Sequence, residues 1–546
     1  MSLPPSTKTP QVRGSVIFGT SGSAPGSAAR RILLIGSMIT TAITTTMNLA
    51  ASGTEVVTTA AGTAVLDRAT RVTSADHAKA LTGQGSELHR GVITALAQDR
   101  SAEVWIAPVT YGSSPVKASA VLTPTISSAI TAAGTLRVTV AGRSIEVAYT
   151  TSDTVATIGL AVARAINAQR DWPVTAVNVY ATGAVTISAK CAGPRGNSLT
   201  LRAALLTSTD TIEILDTTAT TVGGLTITLS GGAVDGGVYR FTNGAVDDDV
   251  TALLAAIASQ SFDRICMGAY RVSGSASANH ARLTAHVDAL SESAQYPQQV
   301  EFGSLAAYAT SITDSQALNA ARAQWPTNPG SDDLPLEIAA SIAVARIFGD
   351  GQLGGVIEGE AANPACNLNG LELVLRAPRD LNDAMDGTEI ELALNAGVTP
   401  LAASPSRPGR MVLVSSICTR SLVSGTPNFA VYKTKDVTVA DHARAVVVED
   451  LHRTYRGFSL VADQASGRPS LVPRTTSPSS VGTRIYQLCK TMERRGILRD
   501  VDALRAQITC VINPSNPRRV DWSFPSVPPQ DFDIADGTIY QQQPEA

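Results

Sequence analysis

Apolar residues fall in different kinds of run along this chain, and the kinds come in blocks. Residues 31–35 (RILLI) are an unbroken apolar run, the pattern of a strand buried on both faces. Ser74 or Asp76 can cap a short helix through His77 and Leu81. Leu88, Val92, Ile93 and Leu96 recur at helical spacing and predict a second helix over about 86–98. Glu103 to Ala107 (EVWIA) then reads as another strand. Strand, helix and strand in this order predict an α/β layer.

From about 116 the period changes to two. Leu136, Val138 and Val140 alternate, Ala141-Gly142 turns the chain, and Ile145, Val147 and Tyr149 alternate again, which predicts a hairpin. Asp153 or Thr154 can start a helix through Ile158, Val162 and Ile166. Further strands are predicted at 174–180, 185–189, 199–201 and 225–229. This stretch is dense in Thr and Gly, is bounded by polar linkers, and reads as a self-contained insertion.

The α/β pattern then resumes. Asp247-Asp248-Asp249 precede VTALLAAIA and fit a helix N-terminus, where carboxylates meet free N–H groups. A strand is predicted at 263–267, a helix over 335–348 that stops at Gly349, and a strand at 411–418 after a turn at Gly397. Two more helices are predicted, over 439–456 and from about Ser480 to Gly496. The last burying positions are Ile485, Leu488, Cys489 and Met492. Then comes an apolar strand, a Pro/Asn turn, and alternation at Val520, Trp522 and Phe524. That final strand has no partner following it in the sequence, and an unpaired strand edge invites another chain. Near the other terminus, Val16, Ile17 and Phe18 form one short extended run inside a Pro/Ser/Gly/Thr-rich arm.

Composition supports a globular chain: 546 residues, 44% hydrophobic, with room for two or more domains. Only 16% of residues are charged and 4% aromatic, so much of the surface is expected to be covered by something else or to consist of Thr/Ser-covered β faces. The net charge is -3 with no basic block, which argues against nucleic acid as a partner. Six scattered cysteines without a CxxC point away from a zinc site or a redox dithiol, and read as buried thiols in a reducing compartment. The N-terminal residues lack an apolar signal core, and the run from Ile32 to Ala51 is broken by Gly36, Ser37, Asn48 and several threonines. No membrane insertion is expected, and the cytoplasm is the expected compartment.

Candidate chemistry is thin. Residues 349–354 match GxGxxG, but a helix precedes them where a dinucleotide site needs a strand. A helix stop and a loop explain those glycines. No Walker A, HExxH or GxSxG motif is present. The six histidines show no i,i+4 pairing and read as helix-surface or interface residues. Asp380, Asp383 and Asp386 imitate a calcium loop but lack its bidentate Glu. No catalytic, cofactor-binding or metal-ligating residue is assigned, and no cofactor is expected.

Four stretches resemble the contractile phage tail sheath proteins of the Mu-like type. One is 81–88 (LTGQGSEL) with 103–108 (EVWIAP), similar to the family's FGxGSxL and later signature, with Thr82 in place of the usual Phe. Another runs from 173–176 through 185–190 to 193–197 (GPRGN), similar to the family's inserted domain. The third is 394–401 and the strand up to Arg420, where this chain departs with Ser416-Ile417-Cys418-Thr419-Arg420. The last is the C-terminal run through 513–521.

The resemblance implies a multi-domain α/β (α+β) chain with a discontinuous core, an inserted β-rich domain and extended arms. The expected boundaries are an N-terminal arm over 1–30, core over 31–115 and 239–511, an outer insertion over 116–238, and a C-terminal arm over 512–546. It further implies a non-enzymatic virion tail subunit, assembled in the host cytoplasm. Its partners would be other copies of itself in stacked hexameric rings, the tail tube protein, and baseplate and tail terminator proteins. Val16, Ile17, Phe18, Val520, Trp522 and Phe524 would be the intersubunit arm strands. A phage-derived bacteriocin or injection particle fits the same residues, and a secreted β-rich adhesin is the reading from a different class.

Overall fold

The computed structural model describes residues 31–530 apart from 51–52, 207–210, 215–217, 236–237, 293–297, 354–367, 380–382, 428–431 and 464–473. The predicted arm strand Val16, Ile17 and Phe18 lies outside the described residues, as do Cys366, Asp380 and positions 531–546.

The strand Arg31–Gly36 sits inside a six-stranded sheet. It pairs in parallel with Glu103–Pro108 on one side and Arg264–Gly268 on the other. Gln299–Gly303 and Ala323–Gln324 extend the parallel run, and Thr70–Arg71 closes the far edge antiparallel. The unbroken apolar run has a physical reason: both faces are covered. Ile32 and Leu34 join a core made by the helices Glu87–Gln98 and Pro335–Leu353. Leu33 and Ile35 join the opposite core, with Leu253 and Ile257 of Thr251–Ile257 and with Leu283 and Val287 of Ala278–Glu292.

The helix predicted to stop at Gly349 continues to Leu353. Leu336, Ala340 and Val344 pack on the parallel sheet, while Ile338, Ile342 and Ala345 pack on a four-stranded sheet through Leu373, Leu401 and Met411. A helix with apolar residues on opposite faces is buried between two layers. Its packing outweighs the roughly 1 kcal/mol that each interior glycine costs, so Gly349 and Gly351 lie in the helix and not in a loop. In that second sheet the strand predicted over 411–418 is shorter, Arg410–Leu413. Beyond it, Ile417 makes an isolated bridge to Lys433.

After Pro108 the chain leaves the parallel sheet, and its outgoing and returning segments pair with each other at Thr110/Asp249, Val116/Ala245 and Ser119/Thr242. Between them lie a five-stranded and a four-stranded antiparallel sheet. The predicted hairpin is present as Gly134–Val140 and Arg143–Tyr149. Its two turn residues, Ala141 and Gly142, both have positive φ (46° and 69°), the turn whose twist suits a tight hairpin. The helix Val155–Ala168 starts at Thr154 with a capping box to Thr157, and buries Ile158, Val162 and Ile166 against Leu122, Leu136 and Ile187. The hairpin Ile43–Ala50 and Gly53–Thr59 packs on this β-rich unit. Met47 enters its core, and Asn48 exchanges hydrogen bonds of 2.8–2.9 Å with Asn178 on an edge strand.

The C-terminal unit is built on two helices. Val439, Ala443, Val447 and Leu451 of Thr434–Tyr455 form a seam against Val481, Ile485, Cys489 and Met492 of Pro478–Arg494. The strand carrying Val520 and Trp522 has a partner after all, just upstream: Asn516–Ser523 folds back on Thr509–Asn513, with Val520 opposite Ile512 and Trp522 opposite Cys510. The reversal is made by Asn513, whose Oδ1 accepts from the N–H of Ser515 and of Asn516 at 2.9 Å each. Trp522 stacks on Phe524, and Phe524 is buried in the helical seam.

Candidate functional site

The sequence candidates for chemistry dissolve into structural roles. Asp386 caps the helix Gly387–Asn395 in a reciprocal box with Glu389, so that aspartate serves a helix end. His89 is buried, and its Nδ1 accepts from Gly85 N–H at 3.1 Å. His280 is fully buried in an aromatic cage of Tyr270, Phe302 and Trp325 with ring centroids 5.1–5.4 Å away. Burial, with Arg195 nearby, lowers its pKa to about 3, so the ring is neutral. These two histidines are therefore interior groups and not surface ones. Among the described residues no cluster of three or more His, Cys, Asp or Glu side chains could hold a metal ion. Cys266, Cys418 and Cys489 are buried free thiols, as expected, while Cys191 and Cys510 are half-buried. Among the described residues no helix is long and apolar enough to cross a membrane.

Two of the short motifs meet in space. In GQGSE, Gly83 and Gly85 have φ of +83° and +82°. A Cβ on Gly85 would lie 2.3 Å from the Trp172 carbonyl, so only glycine lets this loop reach the β-rich unit. Ser86 caps Glu87–Gln98 by accepting from His89 N–H, and its hydroxyl donates to Thr82 Oγ1 at 2.9 Å. Thr82 thus takes part in the cap network. In GPRGN, Gly193 turns the chain at φ +93° and Pro194 opens a short 3-10 turn. A Cβ on Gly196 would lie 2.9 Å from Ala118, and Asn197 exchanges hydrogen bonds with Gly244 on the returning segment.

This geometry carries Arg195 to the carboxyl ends of the central strands. Its guanidinium bonds Asp248 at 2.8 Å, lies 3.5 Å from Glu87, and stacks 4.3 Å over the Tyr270 ring. Glu87 in turn accepts from Ser37 N–H and Oγ at 2.9 and 2.7 Å. Burial works against the Arg195 charge, but Asp248, then Tyr270 and Glu87, hold its pKa well above the ordinary value. The three aspartates are therefore divided. Asp248 pairs with Arg195; Asp247 accepts from Tyr270 and Ser277; Asp249 alone bonds the helix start, at Thr251. A purely local cap reading missed the first two. The signal that could have found Arg195 is an arginine held between two glycines and behind a proline.

Two surfaces remain. No strand of the five-stranded sheet carries a charged residue, and its outward positions include Thr123, Thr125, Thr226 and Thr228. The C-terminal hairpin is a two-stranded sheet, with no further strand on either outer edge among the described residues. One side of it packs on the helices through Cys510, Trp522 and Phe524, while Val511 is 56% exposed. Trp522 is thus brought together with Phe524, and Val520 faces Ile512 across the hairpin; Val16, Ile17 and Phe18 lie outside the described residues.

No family model matches the chain. A Mu-like prophage tail sheath protein of Haemophilus influenzae is 28% identical over 180 residues, which are 33% of this chain and 32% of that protein. The chain is thus matched over about a third of that relative's length. Among solved structures, a sheath tail protein from Listeria innocua superposes with a TM-score of 0.41 at 10% identity, covering 92% of this chain and 93% of that one. The flagellar cap protein FliD of Escherichia coli gives a TM-score of 0.13 at 15% identity over 27% of this chain and 51% of that one. Neither superposition is close enough to carry an argument. By sequence, then, about a third of the chain is similar to a Mu-like prophage tail sheath protein.

Proposed function

We propose that this chain is the structural subunit of a contractile tail sheath. It would polymerise as stacked hexameric rings around a tail tube, between a baseplate and a tail terminator, and contract to drive the tube through a host envelope. The similarity to a tail sheath protein supports the class. The observation that carries the assembly mode is the C-terminal hairpin, anchored on one side by Trp522 and Phe524 and, among the described residues, without a strand on its outer edges. Such edges accept extended segments through backbone hydrogen bonds.

The arm strands enter in a revised form. Val520, Trp522 and Phe524 belong to an anchored hairpin, which offers its edges as an acceptor. The strand proposed to be lent is then that of Val16, Ile17 and Phe18 in the N-terminal arm, with the C-terminal arm beyond the hairpin as a second candidate. In this reading 31–115 and 239–511 form the core and 116–238 an outward insertion. Identical subunits in a heterologous, non-closing contact make a filament. Contraction is a switch between two packings of one rigid subunit. Moving a single unit from 1:99 to 99:1 takes about 5.5 kcal/mol, and coupling many subunits lowers the share of each. Assembly would occur in the host cytoplasm, with the product in the virion tail.

Electron microscopy of the expressed chain tests this. Striated tubes of uniform width are expected from the full chain, and dispersed monomers from a chain lacking residues 1–30. Tubes of normal length from the truncated chain contradict the arm mechanism. A full chain that stays monomeric at high concentration contradicts the sheath reading itself.

A further inference from the structure

In open parallel α/β sheets, ligands bind at the carboxyl ends of the strands, where the chain changes its winding direction. Here that point lies between Arg31–Gly36 and Arg264–Gly268, because the chain moves from Arg31–Gly36 to Glu103–Pro108 on one side and later returns on the other. The Glu87 carboxylate lies over it: a Cβ on Gly36 would be 3.1 Å from one of its oxygens, and a Cβ on Gly268 3.3 Å from the other. The space above is taken by Arg195 from the insertion, whose side chain is 4% exposed against 12% for Glu87 and 1% for Asp248.

We infer that Arg195 acts as an internal plug in this crevice, and that the plug fastens the β-rich insertion to the parallel sheet so that the two open and move as one body. The sequence pattern predicts a self-contained domain on polar linkers. The linkers alone make few bonds, the isolated bridges of the outgoing and returning segments. Beyond them, the 43–59 hairpin packs on the insertion through Met47 and Asn48, and charged side chains reach across from both sides. Besides Arg195, the Lys190 ammonium donates to the carbonyl of Gln84, on the core side, at 3.1 Å. Arg202 lies 3.4 Å from the Asp332 carboxylate. From the core side, Arg376 reaches the Ala141 carbonyl at 3.2 Å. Ion pairs buried this deeply cannot exchange for water partners without exposing their charges together. A joint of this kind has two states, closed or fully open, and no easy swivel between them. These contacts are all within one chain, so the joint is the same whichever polymer the chain builds.

Native-state hydrogen exchange on the dispersed full chain tests it. In the wild type, the slowest amides of 119–126 and 185–189 should share one opening rate with those of 31–36 and 264–268. In Arg195→Met the insertion amides should exchange at least tenfold faster than those of the parallel sheet. Separate opening rates already present in the wild type, or a common rate retained in Arg195→Met, would overturn the inference. If Arg195→Met does not fold because Glu87 and Asp248 are left charged and unpaired, the triple variant Arg195→Met with Glu87→Gln and Asp248→Asn removes those charges. Rates that separate in the triple variant support the plug, and a single shared rate refutes it.

Discussion

The joint between the insertion and the parallel sheet and the C-terminal hairpin solve opposite problems with similar parts. At the joint, glycine-bearing motifs from distant parts of the chain bring charges together, and each charge finds its partner inside the same molecule. At the hairpin, the turn chemistry of Asn513 and the anchors Trp522 and Phe524 build two strands and then stop, with no third strand among the described residues. A two-stranded ribbon is marginal alone and is completed by packing or by added strands. One region is finished by its own chain, and the other is stable enough to present an edge. That contrast is what a subunit needs if it is to stay rigid while its connections to neighbours carry the load.

The contrast can be attacked at several points. The largest effect is expected from removing residues 531–546. Assembly into tubes, read by sedimentation, should be lost while the melting of the dispersed chain is unchanged. This truncation is cleaner than one at 512, which would also remove Trp522 and Phe524 from the helical seam. Next, Phe524→Ala should destabilise the C-terminal unit by about 3–5 kcal/mol, the usual cost of truncating a buried phenylalanine. Hydrogen exchange should place that loss in the helices 434–455 and 478–494 and leave the parallel sheet alone.

A third test uses pH. His280 is held neutral in the fold with a pKa of about 3, below its ordinary value of 6.5. The unfolded chain therefore binds a proton that the folded chain refuses, and its contribution to stability is present above 6.5 and lost as pH falls toward 3. His280→Phe should flatten the dependence of melting temperature on pH between 6.5 and 4, measured against the wild type in the same buffers. A smaller effect, about 1 kcal/mol, is expected for Thr154→Ala, which removes the capping box of the insertion helix. If the joint couples the two bodies, that loss should appear in the opening of both sheets. The smallest stability effect, within about 0.5 kcal/mol, is expected for Val511→Lys at the exposed face of the hairpin. Its effect on tube formation then reports whether a neighbour covers that face.

What could be read from the sequence follows the range of the interaction. The strand at 31–36, the hairpin with its Ala141-Gly142 turn, and the helix caps at Ser74, Ser86 and Thr154 are local events written in neighbouring residues. The continuation of the 335–353 helix through Gly349 was not legible, because two sheets far away in sequence overrule the glycine. Nor was the partner of Val520 and Trp522, although the Pro/Asn turn that supplies it was visible. The pairing of Arg195 with Asp248 and Glu87 crosses the whole insertion boundary, and local spacing carries no trace of it. The aspartate triplet shows the hazard: a cap was the right kind of local answer for Asp249 alone.

Assembly is expected to complete the hairpin and leave the joint untouched. Hydrogen exchange compared between dispersed chains and assembled tubes separates these two regions. The amides of 509–523 left free by the hairpin's own pairing should slow markedly on assembly, while those of 83–88 and 193–197 keep the rates they have in the dispersed chain. Unchanged exchange at 509–523 in tubes, or slowing confined to the joint, would contradict the account.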